Sequence, residues 1–354
     1  MATLIDVREA HRIDIAALET YLAAALPEAV APLTVSQFQG GQSNPTYLLT
    51  DSSGRRYVLR KKPPGDILPS AHAVEREYAA MRALGPIGVP VPSARLLCED
   101  ASVIGTAFYV MDFIDGRVLT DLRLSDIPAA ERAGYYLAMA DGLAALHRVD
   151  WRAAGLADFG RPEAYVSRQI ARWTRQYLAS DPAPNADMDA LIAWLPAHLP
   201  PEEPAVIAHG DYRLGNLMFA QHAPQLLAIL DWELATIGHP LADLAYCASF
   251  YHLPHDAGAF SGLAGVDLHA LGIPDEAALV ARYCEGVGRP VPDAEWRFFL
   301  AFSLFRSAAI GQGVYDRSRR GNAADARAHL YLDMMRNCAR AGSVIAEGKE
   351  AVLF

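Results

Sequence analysis

Residues 205–219, AVIAHGDYRLGNLMF, constrain this chain more than any other stretch. A short apolar run enters His209-Gly210-Asp211, and Asn216 leads into a second apolar run five residues after that Asp. A third run, LLAIL, ends at Asp231, twenty residues beyond Asp211. Short apolar runs bounded by turn residues read as buried strands. Asn216 and Asp231 would then stand at adjacent strand ends, able to converge on one hard cation. Mg²⁺ accepts such a set, because it takes oxygen ligands, few of them from protein and the rest from water and phosphate. Asp211, in the same loop but not needed as a ligand, would face a substrate hydroxyl. One oxygen ligand and one proton acceptor at this spacing suit phosphoryl transfer.

The surrounding chain divides in character. Residues 12–26 repeat apolar residues at helical spacing and stop before Pro27. The stretch LTVSQFQGGQSNPTYLLTDSSGRRYVLRKK reads as strand, Gly-rich loop, strand, tight turn at DSSG, strand. The segment SAHAVEREYAAMRAL reads as a helix, and strands are predicted near 94–98 and 107–113. Beyond DFIDG, helical patterns dominate at about 128–148, 162–179, 185–199, 276–287, 293–314 and 322–346. Strand-like runs near 205–208, 216–219 and 226–230 interrupt them. The predicted class is α+β: a small antiparallel-sheet lobe over residues 1–111 and a larger, mainly helical lobe over 112–354. A junction at FYVMDFIDG would floor a cleft, a common place for ligands.

Composition narrows the partners. At 354 residues, 52% apolar and 20% charged, the chain has globular composition and length for a large core. A formal net charge of −10 argues against nucleic acid and an anionic membrane surface as partners. Cys98, Cys247, Cys284 and Cys338 are widely spaced, without CxxC, so neither a disulfide framework nor structural zinc is expected. The start of the sequence does not read as a secretory signal, and no apolar run approaches the ~18 residues needed to span a bilayer. The expectation is a cytoplasmic protein, monomer or homodimer.

Four elements acquire meaning from their order: GGQSN, YVLRKK, HGDYRLGN and LAILDWE. GGQSN alone is a hairpin turn. Followed by a basic strand, it becomes a place where Gly40, Gly41, Ser43 and Asn44 can bring backbone N–H groups to phosphate oxygens. The pattern HGDYRLGN followed by ILDWELATIGHPLADLAY closely resembles the signature of aminoglycoside phosphotransferase-like enzymes. These are small-molecule kinases on a protein-kinase-like fold, related to choline kinases, and the resemblance covers roughly residues 35–320. The stretch YVLRKKPPGDILPSAHAVEREY is similar to the branch fused to certain acyl-CoA dehydrogenases, whose members are implicated in phosphorylating hydroxyacyl-CoA.

The resemblance implies ATP and Mg²⁺ as cofactors and carries roles residue by residue. Asp211 matches the catalytic Asp, Asn216 the metal-binding Asn, and Asp231 the metal-bridging acid of the kinase DFG element, here Asp-Trp-Glu. Arg60 aligns with the basic residue of the third strand, a departure from the usual Lys; Lys61 points to the other strand face. Helix geometry selects its partner. Val74, Tyr78, Met81 and Leu84 form the expected buried stripe, Glu77 borders it and Glu75 points away, so Glu77 is the candidate. Adenine is expected near Met111 and Phe113.

The acceptor is read from charge. Arg306, Arg317, Arg319 and Arg320, interleaved with Gln312 and Tyr315, form a basic group that opposes a polycationic aminoglycoside and suits a carboxylate or phosphate. The substrate candidates are Arg213, Glu233, Arg306, Tyr315 and Arg317. The function expected is transfer of the ATP γ-phosphate to an alcohol on a small anionic metabolite, such as a hydroxyacyl-CoA. An aminoglycoside or choline-type kinase and a non-catalytic nucleotide-binding module are the alternatives.

Overall fold

A computed structural model describes residues 3–39, 44–63, 73–201, 205–256, 261–319 and 328–348. Gly40, Gly41, Ser43 and Arg320 lie outside the described residues. The chain forms two compact units, each of three separate stretches; the first comprises Met1–Leu119, Arg152–Ala157 and Gly215–Ala235.

In that first unit, β1 (Leu4–Ile5), β2 (Thr34–Phe38), β3 (Thr46–Thr50), β4 (Arg56–Lys61), β5 (Ala94–Cys98) and β6 (Phe108–Asp112) make one six-stranded antiparallel sheet, ordered β1-β2-β3-β4-β6-β5. The DSSG turn closes because Asp51 Oδ1 accepts from the Ser53 and Arg55 amides at 2.8 and 2.9 Å, while Gly54 supplies the left-handed φ of 84°. Strand alternation gives the sheet two different faces. Tyr57 and Leu59 of β4 join Tyr47, Leu49, Phe108 and Val110 against Leu18, Leu22 and Leu26 at helix α1 (Ile15–Ala25). Asp14 caps α1 by accepting from the Ala17 amide at 3.0 Å. Lys61 lies on this α1 face, buried, and burial lowers its pKa. Arg60 and Tyr109 are cross-strand partners and therefore share the opposite face, toward α2 (Val74–Leu84).

The same unit holds a second, three-stranded sheet of β7 (Arg117–Val118), β9 (Leu217–Phe219) and β10 (Leu226–Ile229). Its β9–β10 register pairs Leu217 with Ile229, and the Leu230 amide donates to the Asn216 carbonyl at 2.8 Å. Asn216 and Asp231 thus emerge at the same end of one hairpin.

The second unit comprises Thr120–Trp151, Asp158–Leu214 and Thr236–Phe354. Its helices are α3 (Ala129–His147), α4 (Tyr165–Ala179), α5 (Ala186–Ala197), α6 (Pro240–Ser249), α7 (Leu268–Leu271), α8 (Glu276–Val287), α9 (Ala294–Arg319) and α10 (Ala328–Ala346). A two-stranded ladder joins β8 (Val206–Ala208) to β11 (Thr236–Gly238). The centre of α9 is buried around its circumference, with Phe299, Phe302 and Phe305 fully enclosed, because α4, α5, α6 and α10 pack against it. Among the described residues no helix is long and apolar enough to cross a membrane. The fold class is therefore α+β, as the sequence pattern predicts; β1, β7 and β11, each two or three residues long, are too short to leave a period in the sequence.

Candidate active site

In the second unit the chain leaves β8 directly into His209-Gly210-Asp211. Gly210 takes φ 82°, a conformation that a side chain would strain. The loop is tied down from α6: Asp243, 1% exposed, accepts from the His209 amide at 2.6 Å and the Gly210 amide at 2.8 Å. Burial by itself would raise this carboxyl. The His147 contact, the His209 side chain and the loop amide outweigh that effect and hold it below the ordinary carboxylate range. His147, at the end of α3, stands 3.4 Å from Asp243 Oδ2 and 2.7 Å from the Tyr283 hydroxyl. The Asp211 amide donates to His209 Nδ1 at 3.2 Å, so His209 serves the loop's own geometry.

Side chains of its own unit stand at the Asp211 carboxylate. Arg213 Nε is 3.5 Å from Oδ1, and the half-buried Tyr246 phenol lies near enough to feel the carboxylate's charge. Burial raises the Tyr246 pKa well above its ordinary value, and the Asp211 charge adds to that shift, so Tyr246 keeps its proton here.

The first unit gathers a different set. Arg60 is 3.0 Å from Glu77 through Nε, 3.0 Å from Asp231 through Nη2 and 3.8 Å from Glu233. One guanidinium is thus shared by three carboxylates. Glu77 is not at the border of the α2 stripe but buried within it, at 1% exposure, while Tyr78 is only half-buried. It can sit there because it is satisfied: Asn44 donates to Oε1 at 2.8 Å and Tyr109 to Oε2 at 2.9 Å. Burial pushes the Glu77 carboxyl up to about 7 against the pull of Arg60, and the charges of Asp231 and Glu233 push in the same direction. Glu75 pairs with Lys62 instead. Asp231 adopts φ 66°, ψ 66°, turning the chain from β10 into the short helical turn Trp232–Leu234, where Trp232 is buried and donates to the Ile229 carbonyl at 3.0 Å.

The fit of a divalent cation follows from the donor set. Among the described residues no cluster of three or more His, Cys, Asp or Glu side chains could hold a metal. Asn216 and Asp231, two oxygen donors at one hairpin end, match instead a cation that draws its remaining ligands from water and phosphate. The added negative charge felt at Glu77 belongs to the same neighbourhood.

Other candidates take varied places. The Asn44 side chain is turned inward to Glu77 and fully buried. Met111 lies in β6 between Val58 and Ala94, and the Phe113 ring carries the Arg56 guanidinium at 4.1 Å. The arginines of α9 are not brought together. Arg306 is 7% exposed and donates to the Gly210 carbonyl, whereas Arg317 and Arg319 are exposed near the end of the helix, where Arg319 lies over Tyr315 at 5.8 Å. The sequence reading missed Tyr109 and Tyr246. Cross-strand pairing with Arg60 marks Tyr109 once the register is known; Tyr246, in LADLAYCAS, carries no signal beyond an apolar helix.

The Phosphotransferase enzyme family profile matches residues 34–291. The chain is 44% identical over 323 residues to "Acyl-CoA dehydrogenase family member 10" of Mus musculus, covering 91% of this chain and 30% of that protein's length. It therefore spans less than a third of that relative. A crystal structure from Ralstonia eutropha JMP134, of a candidate aminoglycoside phosphotransferase, is 44% identical with a TM-score of 0.86, covering 96% of this chain and 100% of that one. Spectinomycin phosphotransferase APH(9)-Ia, solved with ADP and spectinomycin, shares the fold at 14% identity and a TM-score of 0.63, covering 94% of this chain and 98% of that one.

Proposed function

The chain belongs to the phosphotransferase enzyme family, and from that premise we propose that it is an ATP- and Mg²⁺-dependent kinase acting on an alcohol of a small, anionic metabolite. The observation that carries this reading is the loop of Asp211. It sets one carboxylate at a strand end, with the loop amides held by Asp243 and His209 and with Arg213 and Tyr246 beside the carboxylate. Asp211 orients the acceptor hydroxyl and takes its proton, a role that requires a fixed direction more than an unusual basicity. Asn216 and Asp231 hold Mg²⁺, which when bound neutralises charge on the transferring phosphoryl group. Arg60, oriented by Glu77, binds nucleotide phosphate in place of the usual Lys; its planar fork allows a bidentate contact. Asn44 anchors the end of the glycine turn through Glu77, and Met111 and Phe113 receive the adenine. Gly40, Gly41 and Ser43 supply backbone amides to the phosphates.

The anionic acceptor is supported by Arg213 beside Asp211 and by the exposed Arg317 of α9, with Tyr315 as a further contact; Glu233, a carboxylate facing Arg60, does not add to that preference. Similarity to a protein named for acyl-CoA dehydrogenation favours a hydroxyacyl thioester within that class. An ADP-release assay across CoA esters, hydroxy acids, choline and aminoglycosides tests the ranking. Turnover confined to aminoglycosides would replace the anionic acceptor with a cationic one. Nucleotide binding with no turnover on any alcohol would favour a non-catalytic module.

A further inference from the structure

Residues 298–309, FFLAFSLFRSAA, contain one charged side chain, and it is buried. Arg306 lies with its guanidinium carbon 5.8 Å from the Trp173 ring on α4 and 5.5 Å from the Tyr246 ring on α6. No carboxylate among the described residues forms an ion pair with it. A guanidinium taken out of water without a counter-charge is strongly disfavoured. Two aromatic faces offset part of that penalty, and the hydrogen bond from Nη2 to the Gly210 carbonyl offsets more.

That carbonyl belongs to the same peptide group as the Asp211 amide. The peptide is planar and rigid, so fixing both of its ends fixes its orientation. Arg306 holds the oxygen end; His209 Nδ1 accepts from the nitrogen end at 3.2 Å. A rotation of this plane about Gly210, whose φ of 82° makes it the permissive residue of the loop, would re-aim the Asp211 side chain. Arg306 also flanks the Tyr246 ring at 5.5 Å, and the Tyr246 phenol feels the charge of the Asp211 carboxylate. One guanidinium thus touches both the backbone of the loop and the ring beside the carboxylate.

We propose that Arg306 is a positioning residue that clamps the Gly210–Asp211 peptide plane and the Tyr246 ring, and so sets the direction of the Asp211 carboxylate, rather than a substrate-binding arginine. The proposal rests on the reading of Asp211 as the proton acceptor, but the clamp itself can be measured without turnover. In Arg306→Met, which keeps bulk in the cage, backbone amide exchange in peptides covering 208–214 rises about tenfold while the other helices of the unit keep their protection. With ATP and Mg²⁺ and water as acceptor, kcat falls about 10²-fold and KM for ATP stays within threefold. Arg306→Lys, which keeps the charge but not the planar fork, recovers part of both effects and serves as the second variant if Arg306→Met does not fold. Unchanged exchange at 208–214 in a folded Arg306→Met protein overturns the clamp. So does a uniform rise in exchange over all the helices of the unit with no recovery in Arg306→Lys. A wild-type protein that consumes no ATP, yet shows the local exchange response, supports the clamp and counts against the phosphotransfer reading.

Discussion

The two units hold their chemistry-bearing residues by different means. Around Asp211 the backbone does the holding: the amides of 209 and 210 end on a buried carboxylate, the amide of 211 on a histidine nitrogen and the carbonyl of 210 on a guanidinium. Around Arg60 the holding is electrostatic, one cation shared among Glu77, Asp231 and Glu233. The first arrangement fixes a direction and has little reason to change when a ligand arrives. The second is a balance of charges, so a bound cation or phosphate re-partitions it. A proton acceptor needs the former, a nucleotide and metal site the latter.

The sharpest way to break the comparison is at its fixed half. Asp211→Asn is expected to lower kcat about 10³-fold while leaving the Kd for ADP within threefold, because the loop hydrogen bonds are untouched and, on the proposed reading, only the proton acceptor is lost. Parallel turnover and nucleotide titrations check this. An equal loss of ADP binding would mean that the residue belongs to the nucleotide site.

The electrostatic half is tested next by Arg60→Met, which strands the buried Glu77 carboxyl. Unfolding by denaturant should show a loss of about 3 kcal/mol, partly restored in Arg60→Lys. A loss below 0.5 kcal/mol would mean that the three carboxylates do not depend on it.

A smaller effect appears with pH. The Glu77 carboxyl is raised from 4.5 to about 7 in the folded protein, so between those values the folded state retains a proton that the unfolded chain has released. Its contribution to stability is complete below about 4.5 and is lost as pH rises through about 7. Glu77→Gln should flatten that slope, and denaturant melts of both proteins from pH 5 to 8 measure it. The smallest effect is expected at Arg317, exposed near the end of α9: Arg317→Ala should change stability by less than about 0.5 kcal/mol and raise the KM of an anionic acceptor, measured by steady-state kinetics.

Legibility in the sequence followed the same division. The strands flanking Asp211 and the hairpin end that gathers Asn216 and Asp231 were readable, because apolar runs between turn residues carry their own boundaries. Glu77 was selected by helix geometry, but its depth was not, since burial of a carboxyl depends on partners from β3's approach and β6 that only register reveals. The same limit explains Asn44, read as a phosphate-loop residue while its side chain serves Glu77. On α9, Arg306 and Arg317 are eleven residues apart and so fall on nearly the same helix face, yet about 16 Å apart along the axis. Periodicity reports the face of a helix; it does not report that one end lies in the core and the other in solvent.

On the proposed reading, Asp211 takes the proton of a hydroxyl that receives phosphate from ATP. The most direct test follows the labelled γ-phosphate of ATP, with Mg²⁺ present, into a panel of hydroxylated acceptors for the wild-type protein and Asp211→Asn. A phosphorylated anionic acceptor is expected with the former and about 10³-fold less with the latter. Equal product from both proteins, or ATP bound with no label reaching any acceptor, would contradict it.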